Sequence, residues 1–195
     1  MIKIILVIFA CLVLLLSSCS PAAVKGKYYS KSVTVDAPTT VKKTNLHFFM
    51  HDILSGNNPT AVLVAAPNGT VVQEGNVGPF GAVYVFDDPL TVTSDPKSEV
   101  IGTGRGLYAS VSRQVPTEWT LLFNADLEFT SGEFNGSSIC LFSRDLLVLE
   151  KKELSIVGGR GKFRMANGFI MANVISFNAT SGDVILEFHV TVFHQ

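Results

Sequence analysis

From residue 119 to residue 130, every second side chain is apolar and the side chains between them are mostly polar. A β-strand points successive side chains to opposite faces, whereas a helix would scatter this pattern around its circumference. The C-terminal stretch repeats the alternation, with Val184, Leu186, Phe188, Val190 and Val192 on one face. No stretch of about a dozen residues after residue 23 keeps a helical period. The sequence therefore predicts an all-β chain of antiparallel strands.

Seven further segments have strand composition and are bounded by turn residues such as Gly, Asn, Asp and Pro. They are residues 45–53, 60–66, 82–86, 99–113, 137–145, 153–157 and 163–178. We expect turns at Asp87-Asp88-Pro89 and at Gly158-Gly159-Arg160-Gly161. Eight or nine strands joined by short loops predict a closed barrel or a sandwich. A barrel is favoured because it leaves no sheet edge and can hold one small ligand.

The N-terminal residues have the organisation of a secretory signal peptide. Lys3 is followed by an apolar run at residues 4–16 and by small residues at 17–23. The run is shorter than the roughly 20 residues that span a bilayer. Cys19 leaves a bacterial lipoprotein signal as the alternative. We expect a signal peptide at 1–23, a flexible arm at 24–44 and one barrel domain at 45–195, with secretion to the extracellular space and no membrane attachment after cleavage.

Charge and cysteine content limit the partners and the compartment. The chain has 15 basic and 16 acidic residues, and the basic residues form no stripe. This argues against nucleic acid as a binding partner. Cys11 and Cys19 fall in the presumed signal, so Cys140 is alone and is expected to be a buried structural thiol. Three Asn-X-Ser/Thr sites are candidate glycosylation sites and favour a eukaryotic secretory route. They are Asn68, Asn135 and Asn178.

Two carboxylates end apolar rows and are the candidate catalytic residues. Asp52 shares a face with Phe48 and Met50, and Asp145 shares a face with Ile139 and Leu141. If these faces line a barrel interior, burial raises the pKa of both acids and suits them to general acid–base catalysis. The alternative is that each acid marks the point where its strand reaches water.

Metal and cofactor sites are not expected. His47 and His51 share a strand face, but His189 and His194 point to opposite faces, and a metal site needs three or four convergent ligands. The glycine-rich segments at 102–106 and 158–161 lie in β context without a following helix, so neither predicts a nucleotide site. We therefore expect no metal and no bound cofactor.

Several motifs in this chain resemble the plant dirigent proteins. They are LHFFMHDI at 46–53, SGNNPTA at 55–61, FDDPLT at 86–91, GLY at 106–108, GEFNGS at 132–137 and VGGRGKFRMA at 157–166. They occur in the family's order over residues 45–194. The resemblance implies an eight-stranded antiparallel barrel, secreted, glycosylated and homo-oligomeric, usually a trimer.

The resemblance also implies a function. Dirigent proteins hold phenoxy radicals, for example two coniferyl alcohol radicals made by an external laccase or peroxidase, so that coupling gives one lignan enantiomer. Relatives of the pterocarpan synthase type act on quinone methides as cyclases and dehydratases. A phenolic-ligand binding module of the cell wall is a third alternative. Phenolic small molecules are the expected partners in all three cases.

The family's site residues transfer to four positions. Asp52 matches the aspartate of the family's His-Asp-Ile block, and Asp145 matches a pocket aspartate where many relatives have asparagine. Tyr108 matches a pocket tyrosine that could hydrogen-bond a phenol. Lys152 stands where lignan-forming relatives often carry arginine, which keeps the charge but not the forked geometry. The N-terminal cysteine of the disulfide-bearing subgroup is absent. The resemblance thus implies Asp52 and Asp145 as catalytic residues and Tyr108 and Lys152 as substrate-binding residues.

Overall fold

A computed structural model describes residues 40–69, 78–113 and 118–195. Within these ranges the chain forms nine β-strands and one short 3₁₀ helix. The strands are β1 (Lys42–Asp52), β2 (Ala61–Ala65), β3 (Val83–Thr91), β4 (Val100–Ser110), β5 (Thr120–Phe129), β6 (Ser137–Leu146), β7 (Lys151–Arg160), β8 (Asn167–Phe177) and β9 (Val184–His194). The 3₁₀ helix, Gly161–Phe163, lies between β7 and β8.

Eight of the strands form a closed antiparallel barrel. Each strand from β3 to β9 pairs with its neighbour in sequence, β9 pairs with β1 along its whole length, and β1 pairs with β3 to close the ring. The short β2 lies outside this ring and pairs with the first part of β3. The predicted all-β, eight-stranded antiparallel barrel is confirmed, and β2 accounts for the ninth strand.

Alternate residues of each strand fill the interior. On β1 the inward residues Phe48 and Met50 are almost completely buried, as are Phe188 and Val190 on β9. Phenylalanines form edge-to-face, tilted and stacked pairs at the end of the barrel where β1 begins and β9 ends. They are Phe48, Phe129, Phe134 and Phe163. This aromatic packing fills one end of the barrel.

The expected turn at residues 87–89 is wrong, because β3 continues through it to Thr91. Proline has no N–H to donate and is therefore rare inside paired strands. Pro89, however, lies between the part of β3 that pairs with β2, which ends at Phe86, and the part that pairs with β1, which starts at Leu90. On the side of β3 that faces β1 and β2, Pro89 has no paired residue. The N–H that proline lacks therefore removes no hydrogen bond between strands, and β3 tolerates the proline. As a result Asp88 faces inward.

The expected hairpin turn at residues 158–161 is displaced. Gly158 and Gly159 belong to β7 and pair with β6, and the chain turns only afterwards, in the 3₁₀ helix Gly161–Phe163. Gly159 is required there by packing, since a Cβ would lie 2.6 Å from the Ser138 carbonyl oxygen. Gly159 thus marks a close approach of backbone rather than a turn.

The first strand begins before the predicted domain start. Lys42 pairs with His194 at the end of β9, so residues 42–44 of the expected arm are part of the barrel. The predicted signal peptide at 1–23 lies outside the described residues, as does the arm up to residue 39. Among the residues described, no helix is long and apolar enough to cross a membrane.

Candidate functional site

An apolar cavity of about 310 Å³ occupies the end of the barrel opposite the phenylalanine cluster. Its walls come from the last residues of β1, β4, β6 and β8 and from the first residues of β5, β7 and β9. Most of the lining is apolar, including Met50, Trp119, Phe123, Val174, Phe177 and Leu186. The four predicted site residues, Asp52, Tyr108, Asp145 and Lys152, all line this cavity. The structure therefore brings them together, and their roles stay predictions.

The two candidate acids lie on opposite walls of the cavity. Around the ring of eight strands, β1 and β6 are four steps apart in either direction. Asp52 is the last residue of β1 and Asp145 is next to the last residue of β6, and these strands run in the same direction. Their carboxyl groups therefore reach the cavity from two sides, and a small molecule bound between them can meet both.

Asp52 is a buried acid with a strongly perturbed pKa. Only 7% of the residue is exposed, and one carboxylate oxygen has no hydrogen-bond partner among the residues that the structure describes. Burial raises the pKa of Asp52 to about 7, a hydrogen bond from the Tyr108 hydroxyl opposes this rise, and the nearby Asp183 adds to it. A carboxyl with such a pKa is protonated in mildly acidic solution and can both donate and accept a proton near neutrality.

A second acid, Asp88, lies behind Asp52. The register of β1 with β3 pairs Met50 with Leu90, and its continuation by two residues brings Asp52 opposite Asp88. Asp88 is completely buried, and within the described part of the chain neither of its carboxylate oxygens has a hydrogen-bond partner. The nearby Thr60 hydroxyl donates instead to the carbonyl oxygen of His51, at 3.3 Å.

The buried position of Asp88 sets its protonation state. Burial, reinforced by the neighbouring Asp52, raises the pKa of Asp88 to about 9. Asp88 is therefore neutral at physiological pH, as expected for one of two adjacent buried carboxyl groups. Sequence reasoning missed this residue because Asp-Asp-Pro is a common turn sequence. The signal that could have found it is the period of two that Asp88 shares with the inward Tyr84, Phe86 and Leu90.

Replacing Asp88 with asparagine should make the protein less sensitive to alkaline pH. The pKa of Asp88 is higher in the folded than in the unfolded protein, so the folded state binds more protons. The free energy of unfolding therefore falls as pH rises from about 4 through the raised pKa. We expect Asp88→Asn to melt at a higher temperature than wild type at about pH 8. Between about pH 5 and pH 8, its free energy of unfolding should fall less than that of wild type, by on the order of a few kcal/mol.

Asp87 provides the matched control for this prediction, since it neighbours Asp88 but points outward. Its carboxylate accepts hydrogen bonds from Thr103 and Arg105, and these hold its pKa below the usual range. Asp87→Asn should keep the wild-type fall in stability with pH, as measured by thermal melts across the pH series. An Asp88→Asn profile parallel to that of wild type would contradict the account.

Asp145 forms a buried ion pair with Lys152. The Lys152 Nζ lies 3.0 Å from Oδ1 and 3.2 Å from Oδ2 of Asp145, and each residue is only 6% exposed. The register of β6 with β7, continued from Leu141 and Ile156, places the two residues opposite each other. Burial raises the pKa of Asp145, and the ammonium group of Lys152 opposes the rise. This pair is the second polar group in the cavity.

Tyr108 connects the cavity with the buried acids. Its ring stacks on Tyr84 at a centroid distance of 5.0 Å, and its hydroxyl interacts with Asp52. Burial and the carboxyl groups of Asp52 and Asp88 raise the pKa of Tyr108 far above its usual value. The phenol thus stays protonated and acts as a hydrogen-bond donor toward Asp52.

The candidate glycosylation sites and the free cysteine lie outside the cavity. Asn68, Asn135 and Asn178 are all exposed and lie beyond strand ends, where a glycan has room. Their glycosylation stays a prediction. Cys140 is half-buried on the outer face of β6 rather than buried in the core, which corrects its expected position. Burial and the neighbouring Asp126 raise the pKa of this thiol, so it is a poor nucleophile.

The histidines are arranged differently from the prediction. His47 pairs with His189 across β1 and β9, and both rings lie beside the carboxylate of Glu187 on the outer face. His51, which was grouped with His47, is buried and bonded to the Thr91 hydroxyl at 2.7 Å. The expectation that the histidines do not converge with other ligands is therefore wrong for His47 and His189. Strand pairing, rather than spacing along the chain, brings them together.

Comparison with known proteins identifies relatives over nearly the whole barrel. Residues 43–193 match the family described as Dirigent-like protein. Dirigent protein 15 of Arabidopsis thaliana is 46% identical over 155 residues, which cover 78% of this chain and 80% of the relative. Pterocarpan synthase 1 of Glycyrrhiza echinata is 40% identical over 168 residues, 86% of each chain.

A solved structure of a relative has the same fold. The structure of a pterocarpan synthase dirigent protein superposes with a TM-score of 0.77 at 40% sequence identity. The superposition covers 86% of this chain and 99% of that structure. The similarity in sequence and the similarity in fold thus point to the same group of proteins.

Proposed function

Because the chain belongs to the dirigent-like protein family, we propose that its cavity binds a phenolic small molecule and directs ring closure by proton transfer. The observation that carries this proposal is the pair of buried acids, Asp52 and Asp145, on opposite walls of one apolar cavity. An apolar pocket with a few convergent polar groups of perturbed pKa is the usual form of a small-molecule site.

The proposed substrate is an isoflavanol that cyclises through a protonated quinone methide, the cation left when its hydroxyl departs as water. Protonated Asp52 gives its proton to the leaving hydroxyl, the carbon–oxygen bond breaks, and water departs. A phenolic hydroxyl of the same molecule then attacks the electron-poor carbon, and Asp145 accepts its proton as the new carbon–oxygen bond forms. The product is the cyclised molecule plus one water. A proton passed between the carboxyl groups through solvent or product restores the starting state.

The cavity dimensions and polar groups support a reaction within one molecule. A volume of about 310 Å³ is at the small end of ligand pockets, which range from about 300 to 1,000 Å³. Such a space suits one phenolic molecule better than two. Lys152 would stabilise negative charge at Asp145 or on the substrate oxygen, and Tyr108 would keep Asp52 oriented. The relatives named pterocarpan synthase, at 40% identity, agree with this class of substrate.

The experiment that tests this proposal asks whether the protein converts the substrate when no oxidant is present. Purified protein is incubated with a 2′-hydroxyisoflavanol, and the loss of water is followed by mass spectrometry of the product. We expect cyclised product to form faster than in buffer alone. Product formation at the buffer rate, with the protein folded, would rule out this activity on that substrate.

A second candidate function is stereoselective coupling of phenoxy radicals. It is supported by the 46% identity to Dirigent protein 15 and by the same phenol-sized, apolar cavity. Here an external laccase or peroxidase would oxidise a monolignol such as coniferyl alcohol, and the barrel would hold the radical so that one enantiomeric lignan forms. The distinguishing observation is an effect that needs added oxidant, measured as enantiomeric excess by chiral chromatography.

Secretion is part of the proposal. The apolar run at residues 4–16 followed by small residues supports export, and the exposed Asn68, Asn135 and Asn178 support glycosylation on that route. An extracellular location would also give the barrel access to phenolic compounds of the plant cell wall.

We further propose that the barrel forms homo-oligomers, as expected from the family resemblance. The strand register places Val62, Val85, Leu107, Asn124 and Phe142 in one row across the outer faces of β2 to β6. The four apolar members of this outer row are each more than 40% exposed. Exposed apolar side chains grouped in this way mark a protein interface, and a second copy of the same chain is the proposed occupant.

Leu107→Lys should therefore dissociate the oligomer. The charge would be buried without a partner in the interface, which strongly disfavours association. Light scattering coupled to size-exclusion chromatography should show an oligomer for wild type and a monomer for Leu107→Lys. Phe169→Lys, on the outer face of β8 and away from the outer row, serves as the control and should remain oligomeric. A monomeric wild-type protein would overturn this proposal.

A further inference from the structure

Three potential metal ligands converge on the outer face of the barrel, on the side opposite the outer row. The cluster consists of His47 on β1 and of Glu187 and His189 on β9. Glu187 and His189 are two residues apart and thus share a strand face, while His47 pairs directly with His189 across the two strands. The backbone of a fully paired strand ladder therefore fixes the relative positions of all three side chains.

The side chains of this cluster are already close together. The Nε2 atom of His47 lies 2.9 Å from Oε1 of Glu187, and the Nε2 atom of His189 lies 3.3 Å from Oε2. The two imidazole rings stack nearly parallel, with centroids 4.6 Å apart. One ligand atom from each residue can be chosen so that all three lie within 4.8 Å of one another.

A tetrahedral zinc ion requires similar geometry. Bonds of about 2.0–2.2 Å place neighbouring ligand atoms about 3.3 Å apart. The observed distances need only small side-chain rotations to reach that value. Both histidines are about half exposed, so their rings are free to rotate and an ion can enter from solvent.

A neighbouring side chain fixes the orientation of the Glu187 carboxylate. The Asn173 amide donates a hydrogen bond of 2.9 Å to Oε2 of Glu187 and thereby holds the carboxylate in place. Outer partners of this kind commonly orient the ligands of metal sites.

We propose that His47, Glu187 and His189 bind a divalent transition-metal ion, with Zn²⁺ as the ion that two imidazoles and one carboxylate favour. Water or an incoming group supplies the fourth ligand, because these three side chains leave one side of the site open to solvent. The ion joins β1 to β9, the pair of strands at which the two ends of the barrel domain meet. This site is on the outside of the barrel and is independent of the function proposed for the cavity.

The test measures zinc binding to the full-length mature chain without a histidine tag. Isothermal titration calorimetry with zinc chloride at neutral pH should give one ion per chain with a Kd in the micromolar range or tighter. Addition of zinc should raise the melting temperature, because a ligand that binds only the folded state stabilises it. With Co²⁺ as the probe, visible absorption bands typical of a tetrahedral site should appear.

Variants of the cluster make the test specific. His189→Gln and Glu187→Gln should each weaken zinc binding at least tenfold and remove the cobalt bands, while circular dichroism shows that the barrel remains folded. Glu153→Gln removes an exposed carboxylate from β7, which β8 separates from β9, and should bind zinc as wild type does. The proposal is overturned if wild type takes up no zinc, or if Glu153→Gln loses as much affinity as the cluster variants.

Discussion

Asp52→Asn should lower the rate of product formation by about 10²-fold or more, because the substitution removes the proposed proton donor. The same change removes a buried carboxyl whose pKa burial raises to about 7. We therefore expect its stability near pH 7 to equal or exceed that of wild type. Lost activity in a protein of undiminished stability separates a catalytic role from a structural one.

The pH dependence of wild type gives a second readout of the same residue. If Asp52 acts as the acid, the rate should fall as pH rises through about 7, where Asp52 loses its proton. Asp87→Asn, which alters an exposed carboxylate on the neighbouring strand, should retain both the rate and its pH profile. An Asp52→Asn protein with the wild-type rate would show that another group supplies the proton.

Lys152→Met should destabilise the protein by about 3–5 kcal/mol near neutral pH, because it leaves the Asp145 carboxylate buried without its counter-charge. Methionine keeps most of the side-chain volume, so the loss reports mainly on charge. Urea denaturation, with the free energy of unfolding extrapolated to water, measures the effect.

The double variant Lys152→Met with Asp145→Asn provides the control. It removes both charges of the pair and should recover most of the stability lost in the single variant, since neutral replacements of a buried pair are often tolerated. Lowering the pH should also reduce the defect of Lys152→Met, because protonation neutralises Asp145. Equal instability of the single and double variants would show that packing, rather than the ion pair, explains the loss.

The alternation of residues made much of the fold and part of the site predictable. It located β5 and β9 because each strand buries one face and exposes the other, and it placed Asp52 and Asp145 on inward faces at strand ends. Burial of these two acids in the structure removes the alternative that their strands simply end in water. Their meeting in one cavity follows from barrel closure, which spacing along the chain does not specify.

Features that depend on pairing between distant strands could not be derived from the sequence. Asp88 was hidden by a local turn sequence, and its position opposite Asp52 depends on the register between β1 and β3. The contact between His47 and His189 likewise requires β1 and β9, which are separated by most of the chain, to be neighbours. Local propensity describes single strands, whereas these sites are formed between strands.

The most direct measurement is chiral chromatography of the products formed from a racemic 2′-hydroxyisoflavanol without oxidant, comparing wild type with Asp145→Asn. We predict that wild type, sampled at partial conversion, gives cyclised product with an enantiomeric excess and that Asp145→Asn gives product only at the buffer rate. Product formation at the buffer rate with folded wild type would contradict ring closure in the cavity. An enantiomeric excess confined to coniferyl alcohol with added oxidant would instead assign the cavity to radical coupling.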